Sequence, residues 1–260
     1  MASAPQPTLP LFYNDLMPLN SRDHATWKSR PIDKIEWLKN QHAVPLTVEE
    51  FAQAQRDFPI IFSAGDQPVP LALMGLNEGV NTFIDDEGKP IGEFYLPAYV
   101  RRYPFLLAKL TPQAEELSLC FDPTCDAIGD LAEGDPLFDE GGQPGAPVKA
   151  ALEFCEQFEQ AGAKTQAFME EIKKHDLLMD GEIAITRNDD PDKPYVYRGF
   201  GMIDQEKLRA LDPATVKEWN ENGLLPLIYA HMFSLDRMRV IFSRQIEQDK
   251  LPAQVLQTAG

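Results

Sequence analysis

The sequence predicts an α+β fold, in which an antiparallel β-meander sheet packs with several helices as a single globular domain with an N-terminal arm. Short apolar runs of strand length recur between residues 58 and 121, split by Gly- and Asp-bearing turns. A later stretch near 150–175 repeats its apolar residues with helical spacing. The 260 residues are 43% hydrophobic and 10% aromatic, enough for one generous core.

Residues 1–45 are rich in Pro, Asn and aromatic groups without a sustained period and are read as an extended arm. Phe12, Tyr13, Trp27, Ile35 and Trp37 are expected to pin it to the body, since disordered tails rarely carry so many large apolar groups. The domain proper is placed at 46–248 and a C-terminal tail at 249–260. Thr47-Val48-Glu49-Glu50 has capping-box spacing and starts a helix that runs to about Asp57. FPIIF at 58–62, VPLALM at 69–74 and NTFI at 81–84 then read as meander strands, with Glu93–Leu96 as another. Pro97 opens a short helix through Tyr103, and Pro104 discourages its continuation. Glu116–Phe121 alternates as a further strand, and the Gly/Pro/Asp-rich 122–147 is expected to be a long surface loop.

From about Pro147 to Leu178 the positions Leu152, Cys155, Phe158, Thr165, Phe168 and Ile172 mark a helical stripe, with Gly162 a candidate break into two helices. Ile183–Thr186 and Tyr195–Ile203 predict a hairpin around the turn at 188–192. Asp204 and Asp212 stand as N-caps, the second followed by Pro213, and Gly223 stops the helix that Asp212 begins. Leu224–Phe233 fits either a buried strand or a helix, and a helix over about Leu235–Gln248, capped by Ser234, closes the chain.

The chain carries 41 acidic and 24 basic residues, a net charge of −17, and residues 111–192 alone hold 20 acidic against five basic side chains. Such a field repels phosphate polymers and anionic lipid, so neither nucleic-acid binding nor direct membrane insertion is expected. The longest uncharged stretch, Asn222–Leu235, is 14 residues and contains Pro226, short of the roughly 20 that span a bilayer. Cys120, Cys125 and Cys155 form no zinc or thioredoxin spacing, and MASAPQPTLP at the start lacks the basic and apolar regions of a secretory signal. A reducing, cytoplasmic setting is the expectation, and the sequence leaves the oligomeric state open.

No P-loop, G-x-S-x-G, H-E-x-x-H, dinucleotide fingerprint or EF-hand loop occurs. His24, His42, His175 and His231 share no ligand spacing, so no metal or other cofactor is expected. Asp122, Asp126 and Asp130, followed by Asp135, Asp139 and Glu140, could offer oxygens to Ca²⁺, but a solvated acidic loop is the simpler reading. Asn77 and Asn81 suit tight turns as well as ligand contact. His231, inside an apolar run, suits either a buried hydrogen-bonded role or acid/base chemistry.

The most unusual stretch is YLPAYVRRYPF at 95–105, which sets Arg101 and Arg102 on a proline-bracketed short helix among Tyr95, Tyr99, Tyr103 and Phe105. Paired guanidiniums with aromatic walls suit a carboxylate or phosphate, because Arg offers planar bidentate donors. The opposing reading stacks one Arg on a ring and pairs the other with the acidic middle of the chain.

Together with FPIIF at 58–62, MGLNEGVNTFID at 74–85, PLFDEGGQP at 136–144, YRGFGMID at 197–204 and LIYAHMFSL at 227–235, this stretch resembles the SapC family of bacterial proteins. The family's name, from a locus linked to transport of surface-layer proteins, implies an accessory role in secretion or surface assembly, with no established reaction to carry over. The expectation is a non-enzymatic binding or accessory protein with a protein or peptide partner, held at Tyr95, Tyr99, Arg101, Arg102, Tyr103 and Phe105. The alternative is an enzyme, or an enzyme's partner subunit, with a small-molecule pocket near the arginines and His231 as acid/base.

Overall fold

The fold is that of a computed structural model, which describes residues 9–111, 113–187 and 190–251, with side chains at 187–193 left aside. Contacts divide the described residues into two compact units, one lying within 1–34 and 99–160, the other within 35–98 and 161–260. The class is α+β with antiparallel sheets, as the turn-split apolar runs imply.

In chain order the elements are β1 (Met17–Pro18), β2 (Lys28–Ser29), β3 (Ala43–Pro45), α1 (Phe51–Ala54), β4 (Ile60–Ser63), β5 (Pro70–Leu73) and α2 (Ala98–Arg101). There follow β6 (Phe105–Ala108), β7 (Ser118–Phe121), β8 (Ile128–Gly129), β9 (Asp135–Pro136), α3 (Ala146–Lys174), β10 (Leu178–Arg187) and β11 (Asp190–Ile203). The chain then enters α4 (Gln205–Arg209), α5 (Pro213–Glu221), α6 (Leu224–Ser234) and α7 (Arg237–Glu247).

The first unit holds two three-stranded sheets, ordered β1-β7-β6 and β8-β2-β9. Residues 17–18 and 28–29 enter both, because β1 pairs with β7 and β2 lies between β8 and β9. Tyr13, as expected, is buried, and its hydroxyl donates to the Phe105 carbonyl at 2.7 Å. The core gathers Phe121, Ile128, Leu137, Phe138 and Val148, with Trp27 edge-on to Phe121. This corrects the reading of 122–147 as a surface loop, since Cys125, Ala127, Ile128, Leu137 and Phe138 are buried there. The apolar residues are too widely spaced to show a period, and two-residue strands give no alternation to detect.

The second unit holds a five-stranded antiparallel sheet, ordered β10-β11-β4-β5-β3. Phe51, Phe58, Ile60, Phe62, Ile172, Trp219, Ile228 and Ile241 are fully buried in it. Asp204 accepts from the N–H groups of Glu206 and Lys207, and Asp212 from those of Ala214 and Thr215, so both caps form where predicted. Gly223, at φ +82°, ends α5 and opens α6, which resolves the ambiguous 224–233 run as helix.

Four local expectations fail, each for a visible reason. NTFI at 81–84 is no strand, because the buried Asn81 side chain donates to the Leu38 and Gln41 carbonyls and accepts from the Phe83 N–H. Glu93–Leu96 is no strand either, and the Tyr95 N–H donates to the Asp57 carboxylate at 2.8 Å. Gly162 does not break α3, whose Glu-, Ala- and Lys-rich run carries it through 29 residues. Ser234 caps nothing; its hydroxyl donates to the His231 carbonyl and accepts from the Ile60 N–H.

Candidate functional site

The stretch around α2 is assembled from both sides of a short helix. Its first N–H, on Ala98, donates to Glu50 Oε1 at 2.6 Å, supplying the acceptor that the helix's own sequence lacks. Tyr99 and Val100 are buried and Arg101 is exposed. Arg102 follows the helix, and its carbonyl accepts from the Phe105 N–H at 2.8 Å, closing a turn through the cis Tyr103–Pro104 bond. Tyr103 is buried edge-on against Tyr13, with its hydroxyl 3.4 Å from Asp122.

Arg102 is the unusual member. Its side chain is only 9% exposed, with Cζ 4.4 Å from the ring centroids of both Tyr99 and Phe158 and 5.9 Å from that of Tyr13. The nearest carboxylate oxygen, on Glu159, is 4.0 Å away. Among the described residues the guanidinium donates no hydrogen bond, and its buried Nε–H has no acceptor. Rings offset part of the loss of hydration, by about 0.5–2 kcal/mol each. A buried cation without hydrogen bonds nevertheless costs several kcal/mol.

Arg102 lines a cavity of about 260 Å³, together with Arg30, Arg101, Tyr103, Phe105, Ile128, Phe154 and Cys155. Every lining residue belongs to the first unit. Arg101 lies at its rim, 5.2 Å from the Phe154 ring. Arg30 is exposed and pairs with the still more exposed Asp126 at 2.7 Å, a contact of little energy. Burial pushes the Cys155 thiol up to about 11, with Arg102 opposing it, so it is no thiolate at neutral pH.

The structure thus brings Arg101, Arg102, Tyr103 and Phe105 onto one cavity, and places Tyr99 beneath Arg102. It does not bring the other predicted residues there. Tyr95, in the second unit, has its hydroxyl 3.1 Å from Glu50. Asn77 accepts from Gln245, and Asn81 holds the loop described above. His231 is fully buried in the second unit, its Nδ1 2.7 Å from the Ile60 carbonyl and its Nε2 accepting from the Ile203 N–H at 3.1 Å. Burial lowers its pKa to about 4, with the bond to Ile60 opposing, and both ring nitrogens are engaged. Sequence reasoning missed Arg30, Ile128 and Phe154. Only Phe154 left a trace, one residue before Cys155 on a helix already read as amphipathic.

Among the described residues no group of three or more His, Cys, Asp or Glu could hold a metal ion, and no helix is long and apolar enough to cross a membrane. Asp122, the first of the acidic-loop residues, is buried and accepts from the Asn14 and Thr124 N–H groups.

The SapC family model matches residues 19–241, a span that takes in the whole cavity wall. The chain belongs to the SapC family. No curated protein and no solved structure matches it. Within this SapC chain the YVRRYPF segment has a definite place, supplying two guanidiniums and two of the rings of the cavity.

Proposed function

We propose that this SapC-family chain is a non-enzymatic binding or accessory protein of the bacterial cytoplasm, holding a carboxylate-bearing polypeptide destined for export or the cell surface at the Arg101–Arg102 cavity. The observation that carries this reading is Arg102, a cation nine-tenths buried beside an open cavity, whose Nε–H has no acceptor among the described residues and whose nearest carboxylate oxygen there is 4.0 Å away. An anion entering the cavity would supply charge and acceptors together, and such charge-assisted bonds contribute about 1.5–3 kcal/mol each.

The rest of the lining favours binding over catalysis. Among the described residues it includes no His, Asp, Glu or Lys, and its thiol is held protonated. The family's association with surface-layer transport supports a polypeptide as the ligand. The test is partner capture from lysate by the wild type and by an Arg101→Ala/Arg102→Met variant, with folding checked by circular dichroism. Loss of specific partners from a folded variant is expected, and unchanged capture would remove the arginines from the site.

A further inference from the structure

The dimensions of the cavity and the make-up of its wall narrow the ligand class. At about 260 Å³ it falls just below the roughly 300–1,000 Å³ of pockets that enclose drug-sized molecules. One side chain fits such a space and a length of peptide does not. Arg102 brings buried positive charge to the wall, with Arg101 and the Asp126-paired Arg30 also lining it, while Phe105, Ile128 and Phe154 present an apolar surface. Phosphate would satisfy the charge and leave that surface unused. An internal Asp or Glu would have to carry main chain in on both sides of its carboxylate. A chain end avoids both difficulties, because its carboxylate and its last side chain arrive together on one short stem.

Resting on the binding reading above, we infer that the cavity takes the free carboxylate of a single apolar residue, either the C-terminus of a polypeptide or an N-acylated amino acid of the same chemistry. The carboxylate faces Arg102 with Arg101 and Arg30 at the rim, and the side chain lies against Phe105, Ile128 and Phe154.

Titration calorimetry on the full chain tests this with five probes: a hexapeptide ending in Leu with a free carboxylate, its C-terminal amide, an amidated peptide with an internal Asp, N-acetyl-leucine, and inorganic phosphate. The free-ended peptide or N-acetyl-leucine is expected to bind, and which of the two binds more tightly identifies the source. Amidation should weaken binding by roughly 10- to 100-fold, the scale of a lost hydrogen bond to a charged group. Arg102→Met should abolish binding. Ala151→Met, at a half-buried helical position on the wall, should do the same by filling the cavity while leaving the fold intact. Equal affinity for free and amidated ends, tighter binding of the internal-Asp peptide or of phosphate, or binding of no carboxylate probe, would each overturn the assignment. The broader binding reading is decided separately, by whether partner capture depends on the arginines.

Discussion

Arg102 and His231 are both charge-capable residues placed under the surface, and they solve the problem in opposite ways. His231 stays neutral: Nδ1–H donates to Ile60, and Nε2 must remain bare to accept from Ile203. Protonation would set two N–H groups against each other. Its pKa is about 4 in the folded chain against an ordinary 6.5, so the unfolded chain takes up the extra proton. Its contribution is therefore fully present above pH 6.5 and is lost as pH falls towards 4. Urea titrations across that window should show a decline on the order of 3 kcal/mol, and His231→Gln should flatten it. Arg102 cannot discharge itself this way. Because among the described residues its guanidinium donates no hydrogen bond that its removal would orphan, and Glu159 is itself well exposed, Arg102→Met should leave the thermal midpoint unchanged or raise it. A fall of several degrees would instead make the guanidinium a structural prop.

In the second unit, one carboxylate and one glycine each fix the end of an element. Glu50, itself 4% exposed, accepts from the Thr47 N–H and hydroxyl, from the Tyr95 hydroxyl and from the first N–H of α2. Glu50→Ala strands several buried donors at once and should cost about 3 kcal/mol or more, measured by chemical denaturation. A loss under about 1 kcal/mol would show that water replaces the carboxylate. Gly223 joins α5 to α6 at φ +82° in open space, so an added methyl meets no atom and the penalty is conformational alone. Gly223→Ala should cost about 1–2 kcal/mol, and Gly223→Asn distinctly less, since Asn tolerates the left-handed region. Neither helical end announced its partner: the Thr47–Glu50 spacing is visible as a local box, whereas the onward reach of Glu50 to residues 95 and 98 spans more than forty residues.

At the scale of the molecule, a net charge of −17 makes self-repulsion the dominant long-range term. Raising NaCl from about 10 mM to about 200 mM shortens the screening length to below about 10 Å and should raise the thermal midpoint. A fall would mean that surface pairs such as Arg198–Glu182 and Lys207–Asp176 outweigh the repulsion. What the sequence settled by itself is whatever acts within a few residues: the α+β class, the caps at Asp204 and Asp212, the stop at Gly223 and the oddity of YVRRYPF. Periodicity, capping and turn chemistry are short-range, and a single chain displays them in order. Only the tertiary structure decided that the Arg102 guanidinium packs against the rings of both Tyr99 and Phe158, and that Arg30 and Ile128 complete the cavity. It alone shows the bonds that Tyr95, Asn77, Asn81 and His231 make within the second unit. Whether a guanidinium is satisfied depends on which carbonyls and carboxylates come within about 3 Å, and that is a property of packing between segments far apart in the chain.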